Sequence, residues 1–179
     1  MLVFTLLACS LSGQSSETDV GEVAGFAGGA FGGFGSHGAV GASFATATSR
    51  LLMALLDISY IPLNTETLQL RGGLGSSARR SRLYDFNGGV HVRIPIREQW
   101  APYIAVGGGL LYSTFETVTV DNLGNTIVAG RDNKNFAFHI GGGVRYYLTD
   151  NIGLRPELKV YVSDRNFARL SVGIFYQFP

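Results

Sequence analysis

The residues able to do chemistry in this sequence are few and scattered. Three histidines, His37, His91 and His139, lie too far apart to offer a metal-ligand spacing. His37 sits in Gly-Ser-His-Gly beside Ser36, but no carboxylate is close in sequence to complete a nucleophile–base–carboxylate set. His91 alternates with Arg93 on one strand face, which suits a hydrogen-bonded interior residue better than a general base. Cys9 is the one cysteine, so no disulfide and no thiolate metal cluster forms within the chain. Glycine runs such as Gly107–Gly109 and Gly141–Gly143 lack the G-x-x-x-x-G-K-S/T form that cradles phosphate. No catalytic set, metal or cofactor is expected.

What remains is a set of charges that alternates with apolar residues. Asp57, Asp85, Arg93, Arg145, Arg155, Glu157, Lys159 and Arg169 all fall on the less apolar faces of segments with period two. In Leu83 to Ile96, Phe86, Val90, Val92 and Ile94 oppose Asp85, Asn87, His91 and Arg93. In Phe136 to Leu148, Phe138, Ile140 and Val144 oppose Ala137, His139 and Arg145. Leu158 and Val160 oppose Glu157 and Lys159, Leu170 and Val172 oppose Arg169, and Leu56 and Ile58 oppose Asp57 and Ser59.

This pattern defines the elements that must position the charges. Five clear strands are Leu51–Pro62, Leu83–Ile96, Phe136–Leu148, Ile152–Val162 and Phe167–Phe178, and three glycine-rich ones are Glu22–Gly32, Ala39–Ala47 and Tyr103–Phe115. Each is close to the roughly 9–11 residues of a tilted strand crossing a bilayer. Connections around Thr48–Arg50, Arg97–Ala101 and Thr149–Asn151 are short, whereas Leu63–Arg82 and Glu116–Asn135 are long. Short turns on one side and longer loops on the other are the pattern of a transmembrane barrel. Within Glu116–Asn135, β-prone runs flank Asp121–Asn125 and predict a projecting hairpin. Leu63–Arg82 lacks such a pattern after Leu70 and is expected as a mobile loop exposing Arg79, Arg80 and Arg82.

Composition agrees. Charged residues are 15% of 179, against about 25% in typical domains, and glycine has 25 positions. A net charge of +1 offers no basic field for nucleic acid. The apolar run Leu51–Leu56 is far shorter than the roughly 20 residues of a membrane-spanning helix. A soluble barrel would carry many charges opposite its apolar face. Here that face holds small and polar residues and a limited set of both signs, which suits a narrow lumen. The apolar face then meets lipid, with Val92 taken as a mid-strand lipid-facing position and Tyr60, Tyr84, Trp100, Tyr103, Phe136, Tyr146 and Phe178 as interfacial girdles. Glu157 is the expected hub of the lumen charges, with Arg155 and Lys159 on its own strand and Arg145 on the next; Ser59→Ala on the same face is expected to cost little.

At the N-terminus, Leu2–Ala8 followed by small residues reads as a signal peptide over 1–13, with a polar tether over 14–21 and the barrel over 22–179. Leu6-Leu7-Ala8-Cys9 also resembles a lipobox.

From Glu22 to Phe178 the chain resembles the small bacterial outer-membrane proteins with an OmpA-like or Opa-like eight-stranded barrel domain. The segments that carry the resemblance are GEVAGFAGGAFG, APYIAVGGGLLY, FHIGGGVRYYLTDNIGLRPELKVY and RLSVGIFYQF. The resemblance implies an all-β, eight-stranded antiparallel up-and-down barrel in the bacterial outer membrane. It also implies a C-terminal assembly signal in Tyr176 and Phe178, from which this chain departs by adding Pro179. The implied partners are outer-membrane lipid or lipopolysaccharide and the barrel-assembly machinery, with a monomeric state and no nucleic acid. Lipid A deacylases of this shape carry a His-x-Ser pair, but His139 is followed by Ile140 and Gly141. The function expected is a structural or surface-interaction role through extracellular loops, with a porin-like conduit and a lipid A-modifying enzyme as the alternatives.

Overall fold

The computed structural model describes residues 20–69, 76–94, 99–120 and 126–179. The leader, Cys9, most of the tether, and residues 70–75, 95–98 and 121–125 lie outside the described residues.

Eight antiparallel strands close into one barrel in sequence order. They are β1 (Gly21–Gly32), β2 (Gly35–Ala47), β3 (Leu52–Gln69), β4 (Ser76–Arg93), β5 (Trp100–Val120), β6 (Thr126–Tyr147), β7 (Ile152–Val162) and β8 (Phe167–Phe178). Alternation sets the faces. Leu56, Ile58, Phe86, Val106, Ile140, Leu158 and Ile174 are exposed outward, while the residues between them are buried inward. An apolar exterior around a polar interior is the inverse of a soluble calyx and is the arrangement a bilayer requires.

The seam is made by β1 and β8, paired from Gly21↔Phe178 to Gly32↔Phe167. On the other side of β1, Gly33 and Phe34 alone connect it to β2 in a tight hairpin. Gly32 (φ 152°) and Gly35 (φ 93°) bracket that turn in backbone that side-chain-bearing residues rarely adopt.

The central strands are much longer than a bilayer crossing, with 18 residues in each of β3 and β4. β5 has 21 and β6 has 22. Pairing of β5 with β6 runs unbroken to Val120↔Thr126, as the β-prone runs predicted. The segment Leu63–Arg82 departs from expectation. Its described residues, 63–69 and 76–82, continue the β3–β4 ladder through Pro62↔Arg82, Leu63↔Ser81 and Glu66↔Arg79 to Gln69↔Ser76, with one irregularity after Leu63. On its other side, β4 pairs with β5 through Arg82↔Thr114, Arg80↔Glu116 and Ser76↔Val120. The ladder needs only backbone groups, so a polar stretch without apolar alternation joins it once β5 supplies the neighbouring edge. β3 to β6 therefore rise as a four-stranded sheet above the barrel. From Tyr112 to Val120 this is about 25 Å of strand at about 3.3 Å per residue.

Girdles form at both ends of the apolar band. At the extension side Tyr60, Tyr84 and Tyr112 stand side by side, with centroids 5.2 and 6.3 Å apart. At the short-turn side Trp100 packs on Tyr146 at 4.6 Å and Tyr176 on Phe178 at 6.4 Å. Two positions shift against expectation. Tyr103 is not in a girdle but buried in the lumen, because Ile104 and Val106 fix the outward phase of β5. Val92 faces outward but lies one residue from the end of β4, near the short-turn edge of the band rather than mid-strand.

Candidate functional site

The lumen is the one place where the fold concentrates polar chemistry. Among the described residues, four buried carboxylates (Glu22, Asp57, Asp85 and Glu157) face four buried cations (Arg145, Arg155, Lys159 and Arg169). Charges match one for one, as a desolvated interior demands.

Two centres organise them. Nearer the short turns, Glu22 from β1 receives Arg145 Nε at 2.8 Å and Arg155 Nη1 at 2.8 Å. Gln177 Nε2 donates to the same carboxylate at 3.0 Å, and Arg155 Nη2 donates to Ser43 Oγ at 2.7 Å. Nearer the extension, Asp57 from β3 receives Lys159 Nζ at 2.8 Å and Arg169 Nη2 at 2.7 Å. Asp85 lies 3.3 Å from Arg169 Nη1 and accepts from Ser59 and Asn87.

Glu157 stands between the centres. It accepts from the Tyr103 hydroxyl at 2.7 Å and pairs with Lys159 at 3.0 Å. Gly143 makes room for that tyrosine: a Cβ there would lie 2.5 Å from the Tyr103 oxygen. Arg145 stacks over the same ring at 4.6 Å.

Seven of the eight charges named from sequence thus meet in the lumen, but their pairing differs from the expected pattern. Arg145 and Arg155 go to Glu22 and not to Glu157, so the hub is split. Glu22 was missed because the small-residue strand GEVAGFAGGAFG gives no strong apolar phase; only its position two before Ala24 and four before Phe26 marks it as inward. Arg93 stands apart, half-buried at the short-turn end, donating to the Met53 thioether and to no carboxylate among the described residues. Ser59 takes part in the network, since Arg169 Nη1 donates to its hydroxyl at 2.9 Å.

The histidines are held in packing contacts. His37 Nε2 meets the Phe34 carbonyl at 2.6 Å. His91 accepts from Arg145 at 3.0 Å and stacks on Tyr103 at 4.3 Å. His139 packs against Tyr161 at 5.5 Å. Above the charges an apolar plug of Ile61, Leu83, Leu111, Tyr161 and Phe167, with the small Ala30, Ala39 and Ala137, fills the barrel at the extension side. Tyr176 faces outward on β8, and Phe178 is half-buried at its end.

No protein-family model and no curated protein sequence matches the chain. Solved structures do. Ail, the attachment invasion locus protein of Yersinia pestis, superposes with a TM-score of 0.59 at 12% identity, over 91% of this chain and all (100%) of that one. Neisserial surface protein A gives 0.54 at 15%, over 89% and 96%. The N-terminal barrel domain of Pseudomonas aeruginosa OprF gives 0.53 at 15%, over 90% and 98%. At such identities the likeness is one of fold, and the fold is that of the eight-stranded bacterial outer-membrane barrels.

Proposed function

We propose that this outer-membrane barrel carries nothing through its lumen and works at the cell surface, through the sheet that β3 to β6 raise above the membrane. The observation that carries the proposal is the charge-matched lumen. Four acids and four bases are held at short distances across it, and the apolar plug closes the extension side. Eight strands give an interior about wide enough for side chains to fill. The strands that exceed the membrane thickness are therefore the part left to make contacts.

Several features support the partners of this reading. Arg80, Arg82 and Lys134 stand just above the tyrosine girdle, with Lys134 Nζ 5.8 Å from the Tyr112 ring centre, a placement suited to lipopolysaccharide phosphates. The alternating β8 with Tyr176 and Phe178 suits recognition by the assembly machinery. The role is non-enzymatic and the working unit a monomer.

The test combines three measurements. Refolded protein in planar bilayers should show no steady conductance; a stable open level would favour a small-solute conduit. Lipid A from expressing cells should keep its mass; a changed acyl pattern would favour the enzyme. Joining Thr117 to Ala129, which pair directly, through Asn-Gly should leave the barrel folded and abolish its attachment to surfaces that the intact protein binds. Attachment unchanged by that truncation would remove the surface role from the sheet.

A further inference from the structure

At the extension side, above the apolar plug, the barrel opens into a cup of about 570 Å³. That size lies within the range of about 300–1,000 Å³ typical of small-molecule sites. The cup is blind. Leu83, Leu111, Phe34 and Leu63 line it, and the stacked rings of Tyr161 and Phe167, centroids 4.3 Å apart, belong to the plug below. Its walls change character upward. Ser113, Thr117, Asn133 and Asn135 supply hydroxyls and amides. Arg131 from β6 and Arg165 from the β7–β8 turn line it as well, and Asp164 is the acid among them.

The two arginines contrast with those of the lumen. Every fully buried arginine is tied to a carboxylate, whereas neither Arg131 nor Arg165 has an ion pair among the described residues. Both are exposed, and neither closes an ion pair with the cup's one acid, Asp164. An apolar base holds water poorly, and a guanidinium recognises a carboxylate through two parallel hydrogen bonds. One end of the cup favours hydrocarbon and the other a negative charge.

We propose that this cup binds a small amphipathic anion, a short alkyl chain ending in a carboxylate. The chain lies against Leu83, Leu111 and Phe34, and the carboxylate meets Arg131 and Arg165. The proposal requires no macromolecular partner, so it stands or falls separately from the surface role.

The experiment uses the full barrel in phosphatidylcholine nanodiscs, with leucine and isoleucine methyl groups labelled for NMR. Octanoate is the probe, with octanol and octyltrimethylammonium as matched controls. Octanoate should shift the Leu83 and Leu111 methyls saturably and bind more tightly than either control. The double variant Arg131→Gln/Arg165→Gln should weaken octanoate by about tenfold or more and leave octanol unchanged. Asp164→Asn should tighten octanoate. Shifts confined to the lipid-facing Leu110 and Ile140 would show partition into the bilayer and overturn the proposal. So would octanoate binding that is indifferent to both arginines, or octyltrimethylammonium binding as tightly as octanoate.

Discussion

Arg145 and Glu22 stand 123 positions apart in sequence, yet Nε of the first lies 2.8 Å from Oε2 of the second. Glu22 is also the carboxylate of Arg155, and among the described residues neither arginine has another. Glu157 differs, because its cations Lys159 and Arg169 both keep Asp57 if Glu157 is neutralised.

The two carboxylates should therefore be unequal. Glu22→Gln leaves two buried guanidiniums uncompensated and should cost about 3–5 kcal/mol, the usual result of breaking a buried pair. Glu157→Gln should cost clearly less. Urea unfolding of both variants in lipid vesicles measures the difference, and an equal or reversed order would return the hub to Glu157.

Ser59 should matter more than its size suggests. Its hydroxyl accepts from Arg169 and donates to Asp85 at 3.2 Å, linking the two strands that carry Asp57 and Asp85. Ser59→Ala should cost about 1.5–3 kcal/mol, the range for a hydrogen bond to a charged group. Loss below about 0.5 kcal/mol, the low end for any such bond, would mean that Arg169 re-pairs without it.

The lipid face should respond by depth. Val106 and Ile140 are outward-facing partners near the middle of the crossing, while Val92 is beside the last residue of β4. Ile140→Arg should cost about 2–4 kcal/mol and Val92→Arg only about 0–1 kcal/mol. Equilibrium unfolding of the two arginine variants ranks them; a larger cost at Val92 would move the bilayer centre toward the short turns.

Protease susceptibility should follow pairing. Arg80 and Arg82 are laddered to β5, and Arg82 to β3 as well, whereas Arg131 lies on a part of β6 that is paired to β5 alone. Trypsin added to intact cells should cut at Arg131 before Arg82, because backbone held on both sides opens rarely. Cleavage at any of them only after the outer membrane is breached would invert the topology.

The strand count and the inside–outside assignment were legible because apolar side chains such as Leu56, Phe86, Ile140 and Leu158 keep strict period two wherever lipid faces them. Beyond the membrane that constraint disappears. Ser76–Arg82 is held by backbone pairing to β3 and β5, which leaves no mark on side-chain pattern, so this extension of β4 has the sequence character of a loop. The lumen charges were recognisable one by one, but their partners were not. Pairing across a barrel depends on stagger between strands, and alternation fixes the face of a residue without fixing its height. Tyr103 differs: its nearness to a strand end suits a girdle, but the phase set by Ile104 and Val106 turns it into the lumen.

The seam has a consequence for the order of events in folding. β1 and β8 meet along all twelve residues of each, and every β1–β8 pair joins positions more than a hundred residues apart. Neighbouring hairpins form from local sequence, but this contact waits until the last strand exists. Glu22 projects from β1, and three of its partners, Arg145, Arg155 and Gln177, come from β6, β7 and β8. Until the seam shuts, those guanidiniums have no counter-charge and must stay hydrated. Shutting the cylinder and neutralising its interior are thus one step, so a half-closed sheet gains little from burial and is not a resting place on the way to the native barrel.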